Sequence, residues 1–416
     1  MFLSNVCYTI LIMRIGINAS FLRKPDTGIG QVTTNFIKEL IKLVEFKIPA
    51  CAEPPSSKRL RRPRTSAGRQ SSEFKVKDFE FFLYLEKDID FELPENFRKV
   101  IFLPPYRRDD LVRRILWEKY LLPKKARKDK CDLFISLYQS PTVLKNTRHT
   151  MLVHDVIWKI FPQYLDNSRK KFYSRLTFKA IKEADEIITV SEHSRKDINE
   201  LLKVSKKRIR VAYPSVGEEF FRDYSDESDE GILKKYKISG KYIFYIGGFD
   251  FRKNISGLME AYGELVKKNQ IEDVNLVLAG EDKSEFSALF TDIGKEIKKL
   301  GIKDKVILPG FVEQKDLPAL YRRCELFVFP SLYEGFGLPV LEAMACGAPT
   351  LVSKNSSLPE VGSHAVLYFN PKDTEEMARV MGKVLRNDNL RKRLSEKGIE
   401  RAKKFSWKEF VEEILK

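Results

Sequence analysis

The chain alternates short apolar strand-like segments with helical ones, and the same opening occurs in both halves. In the first half the segment RIGINASFL runs into the glycine loop DTGIG and a helical pattern, and in the second KYIFYIGG runs into FDFRKN and another helical pattern. Such alternation builds a parallel sheet with helices on both faces. The sequence therefore predicts an α/β fold of two doubly wound domains facing across a cleft, with a ligand at the carboxyl ends of the strands.

Further strand-like segments divide the chain into two domains. They are EFFLYL, DLFISL, HTMLVHDV, EIITVS and RIRVAY in the first half, and VNLVLAG, KVILPGF, LFVFP and PTLVS in the second. We predict a first domain over residues 13–215 and a second over residues 239–402, joined by a linker at residues 216–238 that contains the acidic run DYSDESDE. Residues 403–416 predict a last helix, and the sequence leaves open whether it packs back on the first domain.

Two stretches fall outside this pattern. Residues 1–12 are apolar but short, without a basic start or a small-residue cleavage site, so we expect an extension rather than a signal peptide or membrane span. Residues 47–77 hold nine Lys/Arg against two Glu, together with four prolines and five serines. This composition predicts a disordered insertion, which supplies +7 of the net charge of +17.

The positive charge narrows the choice of partners only in part. It favours polyanions, anionic membrane surfaces or phosphorylated substrates, but it also serves solubility alone. The segment DLVRRILWEKYLL separates Arg113, Arg114 and Lys119 from an apolar face that includes Tyr120. This pattern fits a helix resting on anionic lipid headgroups or a domain helix with a basic outer face. We expect no nucleic-acid partner, since no binding module is recognisable.

Cysteine usage bears on the compartment. Five cysteines are scattered without CxxC spacing, which indicates neither a disulfide framework nor a zinc site. We therefore expect a cytoplasmic protein, free or peripheral at the inner face of the membrane.

The segment PSLYEGFGLPVLEAMACGAP, residues 330–349, carries the clearest chemistry. It predicts a strand end, a glycine-tight turn and a helix start, in which Gly335 and Gly337 allow the backbone to approach a ligand closely. The N–H groups and partial positive charge of a helix start favour an anion such as a diphosphate. Glu334 in the turn and Glu342 inside the helix suit vicinal sugar or ribose hydroxyls. Together these features predict nucleotide-sugar binding.

These motifs resemble those of the family 4 retaining glycosyltransferases, which have two facing Rossmann-like domains (the GT-B architecture). The resemblance lies mainly in residues 309–359, with PGFV, the segment described above and LPEV. It extends to YIGGFDFRKN, VHDV, ADEIITVSEHSRKDI and TGIG. Within the family, GGFDFRKN resembles the mannosyltransferases that build cell-surface polysaccharides such as lipopolysaccharide.

The resemblance implies a role for each matching residue. It assigns Glu334 to the hydroxyls of the donor sugar, Lys253 to the diphosphate and His154 to the sugar near the reaction centre. The family's partner arginine normally follows the first glycine of the second-half loop, where this chain has Gly248, so Arg252 is the candidate replacement and completes the predicted catalytic group. The predicted substrate-binding residues are Glu342, Gly335, Phe336, Gly337, Leu338, Gly28, Gly30, Gly247, Gly248, Asp155, Ser191 and Arg195.

The activity implied is transfer of a hexose, with mannose as first choice, to a saccharide or lipid-linked saccharide acceptor with retention at the anomeric carbon. GDP-mannose is the first candidate donor and a UDP-hexose the second, and no cofactor or metal is expected. Asp88-Ile-Asp90 is interpreted as a surface loop rather than a metal motif. Two alternatives stay open: a phosphorylase-like or soluble-acceptor enzyme on the same fold, and a nucleotide-sugar-binding protein without turnover.

Overall fold

The computed structural model describes residues 12–46, 79–103, 110–222 and 226–416, apart from residues 272, 283 and 286. The predicted insertion at residues 47–77 and nearly all of the predicted N-terminal extension lie outside the described residues.

Among the described residues, the strands form two parallel sheets. The first has the order β3-β2-β1-β4-β5-β6-β7 and the second β10-β9-β8-β11-β12-β13. The strands are β1 Met13–Asn18, β2 Phe79–Leu85, β3 Phe97–Ile101, β4 Leu133–Ser136, β5 Arg148–Leu152, β6 Glu186–Thr189, β7 Ile209–Val211, β8 Lys241–Ile246, β9 Val274–Ala279, β10 Val306–Gly310, β11 Leu326–Phe329, β12 Thr350–Ser353 and β13 Leu367–Phe369.

Helices cover both sheets. The described α-helices are α1 Gly28–Phe46, α2 Asp110–Ile115, α3 Leu122–Lys128, α4 Ile157–Ile160, α5 Ser168–Glu183, α6 Glu192–Leu202, α7 Asp226–Lys235, α8 Ile255–Lys267, α9 Ile293–Leu300, α10 Leu317–Arg323, α11 Leu338–Ala345, α12 Leu358–Gly362, α13 Thr374–Leu385, α14 Asp388–Ala402 and α15 Trp407–Leu415. A π-helical turn spans Leu116–Leu121, and 3₁₀ turns lie at Ser20–Arg23, Pro162–Tyr164, Lys206–Arg208, Glu218–Phe221, Phe251–Lys253 and Lys303–Lys305.

The strand order explains where a ligand can bind. In each sheet the chain builds outward on one side, from β1 to β3 and from β8 to β10, and then returns to the centre to build outward on the other. The carboxyl ends on either side of such a reversal leave a crevice, here between β1 and β4 and between β8 and β11. The central strands are apolar because helices cover both faces: in β8, Tyr242 and Tyr245 are 1% and 0% exposed. The prediction of two Rossmann-like α/β domains is confirmed.

The predicted linker contains a helix that packs on the second domain, and the last helix packs on the first. The linker residues include helix α7, whose buried Asp229 accepts a hydrogen bond of 2.9 Å from Arg322 of α10. Helix α15 packs on α1, with the rings of Phe410 and Phe36 at 6.4 Å. Trp407 also donates from Nε1 to the Val216 carbonyl at 3.1 Å. The end of the chain therefore lies against the first domain.

The prediction that the helix after residue 110 has a basic outer face is wrong for two of its arginines. Arg113 lies 3.2 Å from the buried Glu86, and Arg114 donates to the Tyr173 hydroxyl at 2.7 Å and pairs with Glu118. Both cations are therefore engaged with partners inside the domain.

The π-helical turn changes which side chains face inward on this helix. Each π turn holds an extra residue, so the face drifts away from the spacing of an α-helix. As a result Trp117 and Glu118 are 0% and 1% exposed, whereas Tyr120, predicted on the apolar face, is 56% exposed.

Candidate active site

The two crevices face each other across a partly open cavity of about 520 Å³. Its walls come from the β1–α1 connection and the end of β5 in the first domain, and from the loops after β8, β9, β10 and β11 in the second. The predicted site residues that line it are Gly28, His154, Asp155, Gly247, Gly248, Lys253, Glu334, Gly335, Phe336, Gly337, Leu338 and Glu342.

The loop that leads into α11 is shaped by two glycines. Gly337, at φ +107°, precedes the helix in the left-handed region, and a Cβ there would lie 2.7 Å from Leu358. A Cβ on Gly335 would lie 2.7 Å from the His154 carbonyl oxygen of the first domain. The start of α11 therefore reaches the cavity, where its dipole favours an anion.

The same loop is tied to the first domain by hydroxyl groups. Ser191 donates from Oγ to the Gly335 carbonyl at 2.7 Å, and Ser194 donates to the same oxygen at 3.1 Å and to the His154 carbonyl at 3.0 Å. Ser191 also caps α6 by accepting from the Ser194 N–H at 3.0 Å. Ser191 is thus buried behind the cavity, where it holds the Gly335 loop.

A second set of contacts joins the domains away from the cavity. The Glu360 carboxylate accepts from the backbone N–H of Glu192 at 2.7 Å and of His193 at 3.3 Å, at the start of α6. On another side Tyr164 donates to Asp250 across the cleft. These contacts bring the two crevices together over the cavity.

One carboxylate and two cations form the charged centre of the site. Glu334 Oε1 lies 2.6 Å from Lys253 Nζ and 2.9 Å from an Arg252 guanidinium nitrogen. Burial by itself would raise the pKa of Glu334, but Arg252 and Lys253 outweigh it and lower this pKa to about 2. Burial lowers the pKa of Lys253 despite its partner. Lys253 faces the cavity, whereas Arg252 lies behind it and also donates to the Tyr333 carbonyl at 2.7 Å.

Glu342 is held in a different environment. It is 3% exposed and accepts from the Tyr321 hydroxyl at 2.8 Å and from the Gln314 amide at 3.2 Å. Burial raises the pKa of Glu342 to about 7, although these hydrogen bonds act in the opposite direction. Its carboxylate therefore changes charge near neutral pH.

His154 has one defined tautomer when neutral. Its Nε2 lies 3.1 Å from the Leu137 carbonyl, which only accepts, so Nε2 carries the proton and Nδ1 is the free acceptor of the ring. Burial lowers the pKa of His154, which favours this neutral form. The neighbouring Asp155 accepts from the Ile157 N–H at 3.1 Å, and burial raises its pKa.

Four predicted site residues do not line the cavity: Gly30, Ser191, Arg195 and Arg252. A Cβ on Gly30 would lie 1.8 Å from the Lys24 carbonyl, so this glycine serves a close approach within its own segment. Arg195 forms a partly exposed ion pair with Glu192 at 2.7 Å.

Three residues of the site were not predicted from the sequence: Gln31, Gln314 and Tyr321. Each acts through a contact with a residue distant in sequence, and no local pattern marks such a residue.

The described residues contain no grouped metal ligands and no helical membrane span. No group of three or more His, Cys, Asp or Glu there is arranged to hold a metal ion. Asp88, in the Asp-x-Asp tripeptide, is an exposed side chain that accepts from Lys99 at 3.3 Å. None of the described helices is both long and apolar enough to cross a bilayer.

Two facing Rossmann-like domains with a charged cleft between them are the GT-B architecture. The family model described as Glycosyltransferase Family 4 matches residues 27–220, and the one described as Glycosyl transferases group 1 matches residues 229–401. These two matches cover the first and second domains in turn. The chain belongs to family 4 of the glycosyltransferases, which confirms the resemblance identified from its motifs.

Two of the similar curated proteins are mannosyltransferases of Escherichia coli. The serotype-specific mannosyltransferase WbdA of Escherichia coli is 36% identical over 243 residues, which are 58% of this chain and 29% of that protein. The O-antigen chain mannosyltransferase B of Escherichia coli is 32% identical over 255 residues, 61% of this chain and 65% of that protein. The match thus spans less than two thirds of either relative. The solved sucrose-phosphate synthase of Thermosynechococcus elongatus shares the fold, with a TM-score of 0.69 over 96% of both chains at 16% identity.

Proposed function

We propose that the protein is a retaining glycosyltransferase that moves a hexose, mannose as first choice, from a nucleotide diphosphate sugar to a saccharide or lipid-linked saccharide. The observation that carries this proposal is the Lys253–Glu334 pair, 2.6 Å apart at the start of α11 and facing His154 across the cavity. The pair combines a cation for a diphosphate with acceptors for sugar hydroxyls. The cavity beside it, of about 520 Å³, suits a small-molecule ligand.

The donor would be held by groups from both sides of the cleft. Its diphosphate would take the ammonium group of Lys253 and the N–H groups at the start of α11. Glu334, released from Lys253 but still paired with Arg252, would accept hydrogen bonds from the sugar hydroxyls. Glu342 would accept from the ribose diol, and His154 Nδ1 from a further sugar hydroxyl.

The protein's charges favour a particular course for the proton. In the reaction the bond from the anomeric carbon to the diphosphate oxygen breaks, and the acceptor oxygen forms the new bond on the same face. A carboxylate with a pKa of about 2, as for Glu334, is a poor base. The acceptor proton would therefore pass to the leaving diphosphate oxygen, whose developing charge Lys253 would stabilise. No step in this course calls for a metal or a cofactor.

The test begins with the donor. Thermal shift and calorimetry against GDP-, UDP- and ADP-sugars should single out GDP-mannose, the donor favoured by the similarity to mannosyltransferases. Incubation with saccharide and lipid-linked acceptors should then yield a product whose anomeric proton shows retained configuration by NMR. Binding without turnover of any donor would support the nucleotide-sugar-binding alternative, and transfer to orthophosphate the phosphorylase-like one.

A lipid-linked acceptor would bring a cytoplasmic enzyme to the anionic inner face of the membrane. Arg113 and Arg114 pair with groups inside the domain and so do not support this membrane contact. Two aromatic side chains of the first domain, Tyr120 and Phe172, are 56% and 51% exposed and are the candidates for it. Co-sedimentation with vesicles that contain anionic lipid would test it. Binding that persists in a Tyr120→Ser, Phe172→Ser variant would show that these side chains are not the contact.

A further inference from the structure

A chain of hydrogen bonds runs across the cleft to Glu342. Gln31 Nε2 donates to Gln314 Oε1 at 2.8 Å, and Gln314 Nε2 donates to Glu342 Oε1 at 3.2 Å. Tyr321 supplies a third donor, to Glu342 Oε2 at 2.8 Å. Gln31, Gln314 and Glu342 all line the cavity, so this relay is part of its wall.

The chemistry of a carboxylate sets the direction of the relay. An ionised carboxylate only accepts, so Gln314 must turn its NH₂ group toward Glu342. The oxygen of the same amide then points the other way and needs a donor, which the NH₂ group of Gln31 provides. Gln31 therefore stabilises the one orientation of Gln314 that serves Glu342.

The relay crosses between the domains. Gln31 lies on α1 of the first domain, one turn after Gly28, whereas Gln314 lies in the loop after β10 and Glu342 on α11 of the second. The bond between the two amides requires the crevices to be close together. Burial raises the pKa of Glu342, and hydrogen bonds from Tyr321 and Gln314 counteract it, with a smaller contribution from Gln31 itself, so the relay helps to keep this buried carboxylate ionised.

We infer that Gln31 is a positioning residue for the donor ribose: acting through Gln314, it fixes the Glu342 carboxylate as a hydroxyl acceptor when the domains close. The inference rests on the proposed function, in which Glu342 accepts from the ribose diol. Since coupling of this kind is reciprocal, a ribose bound at Glu342 favours closure by the same factor by which closure favours the ribose.

The test compares ligands with and without the ribose hydroxyls. Gln31→Met keeps the length of the side chain but removes its donor. We expect it to weaken binding of GDP or UDP, whichever the wild type prefers, by about fivefold in calorimetry, the effect of one hydrogen bond. Affinity for the matching 2′,3′-dideoxynucleoside diphosphate should change less than twofold, because that ligand makes no demand on Glu342. In transfer assays the KM for the donor should rise and kcat should change little.

Two further variants make the test specific. Gln314→Met should weaken binding at least as much, and adding Gln31→Met to it should have little further effect, since Gln31 acts mainly through Gln314. Gln270→Met, at an exposed position after α8, is the matched control and should bind like the wild type. Equal losses for the ribose and dideoxyribose ligands, or additive effects of the two substitutions, would overturn the inference and leave the proposed function intact. A wild-type protein that binds neither diphosphate would overturn both.

Discussion

Replacing Glu334 by glutamine separates its two expected roles, charge partner and hydroxyl acceptor. The substitution keeps the shape of the side chain and removes its charge, which faces Lys253 at 2.6 Å and Arg252 at 2.9 Å. Arg252 and Lys253 would then be buried without their shared carboxylate. Stability and transfer should both fall, whereas binding of an anion should not.

The size of the stability effect follows from the pKa of Glu334. Despite burial, the two cations lower it from 4.5 to about 2, and a shift of this size corresponds to roughly 3 kcal/mol. Because the folded-state pKa is depressed, this stabilisation is complete above about pH 4.5 and is lost as the pH falls toward 2. At pH 7, Glu334→Gln should therefore lower the free energy of unfolding by about 3 kcal/mol, as expected for breaking a buried pair.

Transfer and nucleotide binding should respond differently. Losing a charged acceptor for the sugar hydroxyls should reduce kcat/KM by about 10- to 100-fold. A bound diphosphate, however, replaces the missing negative charge beside Lys253. Saturating GDP should therefore raise the melting temperature of the variant by more than it raises that of the wild type.

The assays are urea denaturation, thermal shift with and without nucleoside diphosphate, and initial rates of transfer. Glu396→Gln, an exposed carboxylate of α14, is the matched control and should change none of these quantities. An unchanged free energy of unfolding would refute the charge argument. Diphosphate binding that weakens as much as transfer would refute the division between charge partner and hydroxyl acceptor.

Three further predictions follow from the site and the packing. Burial raises the pKa of Glu342 to about 7, so the affinity for nucleotide, measured by calorimetry, should increase as the pH rises from about 6 to 8, and binding should release protons. The Glu342→Gln variant should lose this pH dependence. A wild-type affinity that does not change with pH would contradict the role assigned to Glu342. Gly335→Ala puts a Cβ 2.7 Å from the His154 carbonyl and should lower kcat/KM at least tenfold, about 1.4 kcal/mol, while Gly231→Ala, with no atom within 4 Å of its Cβ, should not. Phe410→Ala should reduce the free energy of unfolding by about 3–5 kcal/mol in urea denaturation, and a loss no larger than that of the exposed Lys408→Ala control would refute the docking of α15.

The central strands were predictable because they are buried on both faces and consist of apolar runs. Two strands were missed, β3 and β13, and both lie at the outer edge of a sheet. Neither carries a clear apolar run: β3 reads FRKVI, with only Phe97 buried, and β13 has only three residues. The π-helical turn was not predicted either, because the spacing of apolar residues does not reveal the extra residue in the turn.

Several site residues were predictable because they belong to short motifs whose local structure carries the chemistry. Gly335, Gly337 and Glu334 were recognised from a turn that leads into a helix, and Lys253 from the resemblance to the family. Arg252 was expected at the diphosphate but lies behind Lys253, paired with Glu334. The sequence contained no sign that one carboxylate would hold both cations.

By itself, therefore, the sequence determined the two parallel sheets, the crevices at the carboxyl ends of their strands, and the family. These depend on local periodicity and on glycines that local geometry requires. The tertiary structure alone decided which groups meet. Glu334 meets its two cations within the second domain, whereas Ser191 meets the Gly335 loop and Gln31 meets Gln314, the partner of Glu342, across the cleft. Their charges and hydrogen bonds come from residues between 28 and 283 positions apart, and only the folding of the second domain and its packing on the first set those distances.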